Sequence, residues 1–217
     1  MFTPNVDHVV LAEQDQRFRS AYEQVSLSLV DGTPVLWASR ILGRSLPGKV
    51  SGSDLVVPLM ERAAARGWRV FLLGGGPGSA ETAAERLRAQ FPALTIVGVD
   101  APRVDISAPL DERRAVAARV ALSKPDLVLV ALGSPKQEIF CAETRDVVQP
   151  AVMVGVGAGI DFIAGVARRA PPWISKIGFE WLYRLAHEPR RLAGRYLVRD
   201  PQFFLILLRE LVARPKR

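Results

Sequence analysis

Five apolar runs of strand length, each separated from the next by helix-length sequence, set the strongest limit on what this chain can fold into. They are "LSLVDG" (27–32), "RVFLLGGGPG" (69–78), "LTIVGV" (94–99), "DLVLVALG" (126–133) and "AVMVGVGAG" (151–159), and four of them end in glycine-containing loops. Between them lie helical patterns such as "SAETAAERLRAQF" (79–91), opened by a serine suited to capping, and "LDERRAVAARVAL" (110–122), with acids in its first turn. Strand, glycine turn, helix, strand is the order of an open, mainly parallel α/β sheet flanked by helices, of Rossmann-like type. Such sheets bind ligands at the carboxyl ends of their strands.

The pattern stops near Ala167. Residues 1–167 carry 17 Lys and Arg against 18 Asp and Glu, whereas 168–217 carry 12 against 4, so the chain's net charge of +7 divides into −1 and +8. We expect a catalytic body over 1–167 and a basic, aromatic-rich helical appendage over 168–217. A neutral body argues against nucleic acid as partner, and arginine beside tryptophan and tyrosine suits an anionic membrane surface. Cys141 stands alone, His8 and His187 lack ligand spacing, and no Asp-x-Asp occurs, so neither a disulfide framework nor a metal site is expected. No signal peptide opens the chain and no apolar run approaches the roughly 18–20 residues that span a bilayer. The expected place is the cytoplasm, at the inner face of the membrane.

Several motifs fall where strands should end. "LLGGGPGSAE" (72–81) presents Gly74, Gly75 and Gly76 before a helix, as a phosphate cradle or as a structural turn. It fits neither the dinucleotide fingerprint nor a P-loop. In "ALGSPKQE" (131–138), Gly133 ends a run and Lys136, Gln137 and Glu138 open a helix; Lys136 offers charge to a phosphate and Gln137 an amide to a sugar, unless the turn is simply solvated. Asp161, in "GVGAGIDFIAG" (155–165), sits among apolar residues and must either cap local N–H groups or receive donors from a ligand. Asp31 follows a run in "SLVDGTP" (28–34), as a turn residue or as a carboxylate able to take a proton. Thr3 and Asn5 are short polar groups ahead of the apolar run in "FTPNVDHVV" (2–10).

Together with "DGTPVLWASRILG", "KVSGSDL", "RRAPPW" and "FEWLYRLAHEPRRLAGRYL", these motifs resemble, in order, the WecG/TagA/CpsF glycosyltransferase family from about Thr3 to Tyr196. The resemblance implies a metal-independent, cofactor-free enzyme of bacterial surface polysaccharide or teichoic acid synthesis. It would move a sugar from a UDP-sugar donor to a polyprenyl-diphosphate-linked acceptor. It further implies Asp31 as general base, Thr3 and Asn5 near the sugar, Gln137 in the active site, and Asp161 with the glycine turns bordering the nucleotide. Arg184, Arg190, Arg191 and Arg195 would meet the acceptor's diphosphate and the lipid surface, with Trp173, Trp181 and Tyr183 at headgroup level. "QFFLILLRELVAR" (202–214) would form a helix lying in the interface, or docking on the body or on a second copy in a homo-oligomer.

Two departures stand out. The family has about a strand and a helix before the "TPN" motif, so this chain is either truncated or builds its sheet without that edge. Lys49 stands where the family commonly has arginine, which turns a bidentate phosphate contact into a point charge. The rival expectations are an NAD(P)-dependent oxidoreductase, drawn from the glycine turns, and a nucleic-acid binder, drawn from the high pI.

Overall fold

In the computed structural model, which describes residues 1–171, 174 and 180–213, four of the five apolar runs are strands of one parallel sheet. Chain order begins with α1 (Val6–Gln14), α2 (Gln16–Glu23), α3 (Thr33–Ile41) and α4 (Gly52–Arg66), followed by β1 (Arg69–Gly74), α5 (Ser79–Gln90), β2 (Thr95–Asp100) and α6 (Leu110–Leu122). After these come β3 (Leu127–Ala131), α7 (Lys136–Glu143), α8 (Arg145–Val148), β4 (Val152–Gly155) and α9 (Gly159–Ala164). The strands lie in the order β2-β1-β3-β4, every pair parallel.

Successive side chains leave a strand on opposite faces, and each face here has its own core. Val70, Leu72, Leu127, Leu129 and Val154 pack with α4, α5 and α9. Phe71, Leu73, Val128, Val130 and Met153 pack against α6, α7 and α8. Strands covered on both faces need apolar residues at every position, which is why they read as unbroken runs in the sequence.

The fifth run forms no regular strand. Its one bridge joins Ser28 to Phe2, in parallel. Hydrogen bonds nonetheless carry the sheet outward from β4. The Met1 amine donates to the Met153 carbonyl at 2.7 Å, and the Gly155 N–H to the Met1 carbonyl at 3.0 Å. Phe2 then exchanges bonds with Leu27 and Leu29, Asp31 N–H donates to Pro4 at 2.8 Å, and Val50 N–H donates to Val30 at 2.7 Å. Pro4 has no N–H to give, so the ladder breaks there. Residues 1–4 thus occupy the place beside β4.

Two local expectations change. Ser79 does not cap α5: Gly78, at φ +72°, holds the cap position, and Ser79 is the first helical residue, fully buried. The helix expected to 91 ends at Gln90, while 110–122 is helical as read.

The C-terminal segment continues as α10 (Glu180–His187), α11 (Pro189–Ala193), a π-helical turn (Gly194–Arg199) and α12 (Gln202–Val212). It packs on α1. Phe203 is buried against Val10 and Ala38, with Ile206 and Leu207 beside it, and Arg209 pairs with Glu13 at 3.0 Å. Deeper in, the Asp7 carboxylate, almost wholly buried, forms ion pairs with Arg195, whose Nε lies 3.2 Å away, and with Arg199, whose Nε lies 2.9 Å away. Among the described residues no helix is long and apolar enough to cross a membrane.

Candidate functional site

Strand order locates the site before any side chain is considered. From β1 the chain crosses to β2 on one side and then returns to β3 on the other, so the strand order reverses between β1 and β3. At such a switch point the loops part and leave a crevice at the carboxyl ends. A cavity of about 120 Å³ lies there, lined by Gly74, Gly75, Ala131, Leu132 and Lys136, and by Pro102, Arg103 and Val104 from the loop after β2. Gly74 must be glycine: at φ +96°, an added Cβ would sit 2.6 Å from the Ala131 carbonyl oxygen.

Two cations reach this cavity, and among the described residues no carboxylate pairs with them. Both Lys136 and Arg103 are exposed. Neighbouring carboxylates are already committed: Asp100 pairs with Arg119 at 3.0 Å, and Asp105 accepts the Ser107 N–H at 2.8 Å. Arg103 was absent from the residues expected in the site, although its position directly after a strand end was visible in "DAPR" (100–103).

Hydrogen bonds tie the neighbouring strand-end loops together. Asp161, in the first turn of α9, accepts the Gly76 N–H at 2.8 Å, joining the loop after β4 to the loop after β1. Holding a protein N–H group is one of the two roles expected of it. Gln137 is buried, with its Nε2 donating to Glu138 Oε1 at 2.6 Å and its Oε1 accepting the Gly157 N–H at 3.2 Å. The turn is therefore not a solvated one: only Lys136 faces water, and Glu138 is fully buried.

Farther along the same row of strand ends lie Thr3 and Asp31. Thr3 is buried against the start of α4, where an added Cβ on Gly52 would meet its Oγ1 at 2.7 Å. Asp31 accepts a hydrogen bond from Ser51 Oγ at 3.1 Å. Burial, and then the Glu180 carboxylate of α10, push its carboxyl up to about 6, while Ser51 and the Lys49 ammonium pull the other way. The Glu180 carboxylate thus acts on Asp31 from a distant part of the chain, which no local feature of the sequence signals.

The remaining expected residues divide between the surroundings of Asp31 and the C-terminal elements, with Asn5 against Gly32. Asn5 caps α1, accepting the His8 N–H at 3.3 Å, and also accepts Arg195 Nη2 at 3.2 Å. Arg195 therefore faces Asp7 and Asn5 inside the protein. Arg184 lies over the Phe162 ring at 5.8 Å, next to Asp161. Arg190 is exposed, Gly133 turns the chain at φ +75°, and only the backbone of Arg191 is described. Trp181 packs edge-on to Tyr196, and Tyr183 stacks on His187, while Trp173 lies outside the described residues.

A wider depression of about 360 Å³ between α2 and α7, lined by Arg17, Ser20 and Glu143 among others, sits away from the strand ends and brings no reactive group together. Among the described residues no three His, Cys, Asp or Glu side chains converge as a metal site would need.

Comparison with known proteins gives two findings. The model of the glycosyl transferase WecG/TagA/CpsF family matches residues 1–217. A protein of Bacillus spizizenii named N-acetylglucosaminyldiphosphoundecaprenol N-acetyl-beta-D-mannosaminyltransferase is 32% identical over 198 residues, spanning 91% of this chain and 74% of that relative.

Proposed function

The chain belongs to the WecG/TagA/CpsF family of glycosyltransferases, and from that premise we propose that it moves a hexose, of N-acetylmannosamine type or another, from a UDP-sugar to a polyprenyl-diphosphate-linked sugar. The product would feed a bacterial surface polysaccharide or teichoic acid. The observation that carries this reading is the switch-point cavity with its two unpaired cations, Arg103 and Lys136, in one row of strand ends with Asp31. Strands lie about 4.8 Å apart, so Asp31 is roughly 15 Å along the row from that cavity. A nucleotide sugar, with base, diphosphate and hexose in line, is long enough to reach across.

In the proposed reaction, Asp31 takes the proton of the acceptor hydroxyl as that oxygen attacks the anomeric carbon from the face opposite the diphosphate. The new carbon–oxygen bond forms, the bond to the diphosphate breaks, and configuration inverts. UDP leaves as an anion, stabilised by Lys136, Arg103 and the backbone N–H groups of the glycine turn, without a metal ion. The acceptor enters from the appendage side, where Glu180 and Arg184 overlook Asp31 and Phe162.

The appendage also supports a lipid-facing reading. Phe204, Leu205, Leu208 and Val212 form an exposed apolar face on α12, opposite the face docked on α1, and Leu197 and Val198 extend it. A helix with one side held by the protein and the other apolar can lie at the headgroup boundary, holding the enzyme at the inner membrane face near its acceptor.

The test is a thermal-shift panel of UDP, UDP-N-acetylmannosamine, UDP-glucose, GDP-mannose and NAD, run with EDTA. We expect stabilisation by UDP compounds alone. Protection by NAD with none by UDP would overturn the transferase reading of the cavity.

A further inference from the structure

Glu138 is a fully buried acid that the proposed transfer does not use. A carboxyl removed from water is costly unless its oxygens are satisfied. Here Oε1 accepts from Gln137 Nε2 at 2.6 Å, while Oε2 has no hydrogen-bond partner among the described residues. The Ser134 hydroxyl is also buried and lies close enough to act on this carboxyl, although no well-formed hydrogen bond joins the two. Burial dominates the acid's behaviour and pushes its pKa up to about 7, against the opposing pull of Gln137, the backbone N–H and Ser134. Such a group lowers stability, so its value must lie in what it holds.

What it holds is the direction of one amide. A Gln side chain has a donor end and an acceptor end of nearly the same shape. Gln137 lies between Glu138 Oε1, which accepts, and the Gly157 N–H, which can only donate. Turning the amide over would set oxygen against oxygen and N–H against N–H. Glu138 thereby commits the amide oxygen to Gly157, in the loop after β4. Four residues on, Asp161 carries the connection to Gly76 in the loop after β1. Close packing leaves the amide little room, since an added Cβ on Gly155 would be 3.1 Å from Gln137 Nε2.

We propose that Glu138 is a positioning residue: by orienting the Gln137 amide it fixes the Gly157 loop, and so the alignment of the strand-end loops between the cavity and Asp31. The catalytic part of this inference rests on the proposed transfer; the orientation part does not. Glu138→Ala removes the acceptor and leaves the amide held at one end only, by the Gly157 N–H. Glu138→Gln keeps a carbonyl that can accept from Gln137, so the orientation survives.

Two readouts separate positioning from a general loss of structure. The first is hydrogen exchange of the Gly157 amide, followed by NMR without substrate. The second is kcat set beside UDP affinity. Glu138→Ala should lose Gly157 protection and about 10–100-fold in kcat, the usual scale for misplacement at a distance, with UDP affinity falling by less than kcat because Arg103 and the β2 side of the cavity do not depend on the Gly157 link. Glu138→Gln should keep the protection and stay within about threefold of the parent kcat. If Glu138→Ala does not fold, Gln137→Met cuts the same link from the other side and must expose Gly157. The proposal is overturned by undiminished Gly157 protection in whichever of these two variants folds, by parent-level kcat in Glu138→Ala, or by Glu138→Gln being as impaired as Glu138→Ala. A parent protein inactive with every UDP-sugar would sink the transferase reading, while the exchange experiment would still decide the amide's orientation.

Discussion

A carboxyl pushed up to about 6 is ionised at neutral pH by only a narrow margin, and that suits a base which must hold a proton briefly and release it. If Asp31 is the base, its ionised form is the active one. Transfer should then level off above about pH 7 and fall roughly tenfold by pH 5, where only about a tenth of the carboxyl is charged. Asp31→Asn should retain UDP binding and lose turnover by roughly 10²–10⁴; unchanged turnover would remove it from the role. Stability should move the other way. The folded pKa stands above the ordinary 3.8, so this group's stabilising contribution is complete below that value and is lost as pH rises through about 6. At pH 7.5 the ionised carboxylate costs stability, and Asp31→Asn should melt at a higher temperature than the parent. Asp31 was legible in sequence because an acid just after an apolar run falls at a strand end. Glu180 was not, because nothing local signals that a residue 149 positions later returns to face it.

The strands were the most legible elements: an apolar run buried on both faces and ended by glycine leaves little alternative. Less legible was the edge, where residues 1–4 and 27–31 continue the sheet by hydrogen bonds that Pro4 interrupts. The C-terminal elements were read as a basic surface, yet two of their arginines turn inward and a third is paired at the surface. Arg195 and Arg199 share the buried Asp7, and Arg209 pairs with Glu13. Charge counts along a chain cannot show this, because ion pairing is decided by packing between distant elements. Phe203 adds the burial of a large aromatic, worth about 2–3 kcal/mol. Asp7→Ala should therefore remove the carboxylate that two half-buried arginines share and destabilise the protein by about 1.5–3 kcal/mol, less than a fully buried pair because Arg195 keeps Asn5 and Asp200 and both arginines reach water. Urea unfolding would read that loss, with cleavage by trypsin appearing first in the 194–199 turn. A change below about 1 kcal/mol would mean that Asp7 does not hold the segment in place.

At the scale of the whole molecule, the question is what holds it to a lipid surface, and sequence and structure give different weights to the two forces. The sequence puts a net +8 on residues 168–217. With Arg169, Arg195, Arg199 and Arg209 engaged in ion pairs, less of that charge is free to meet anionic headgroups. The apolar face of α12 is fully available: Phe204 is 62%, Leu205 68% and Leu208 58% exposed. If α12 lies at the headgroup boundary, partitioning should depend on these side chains more than on salt. Replacing all three with serine should cost about 1 kcal/mol each for partial insertion, or roughly 100-fold in vesicle binding overall. Phe203, on the opposite face, keeps the helix docked, so the melting temperature should hold. Co-sedimentation with anionic vesicles at two salt concentrations would measure both forces. Binding by the triple variant equal to the parent's would remove α12 from the contact. If the same substitutions instead turn a dimer into a monomer while vesicle binding persists, the face belongs to a second copy of the chain, and the lipid must be met by exposed arginines that have no ion-pair partner among the described residues, such as Arg190.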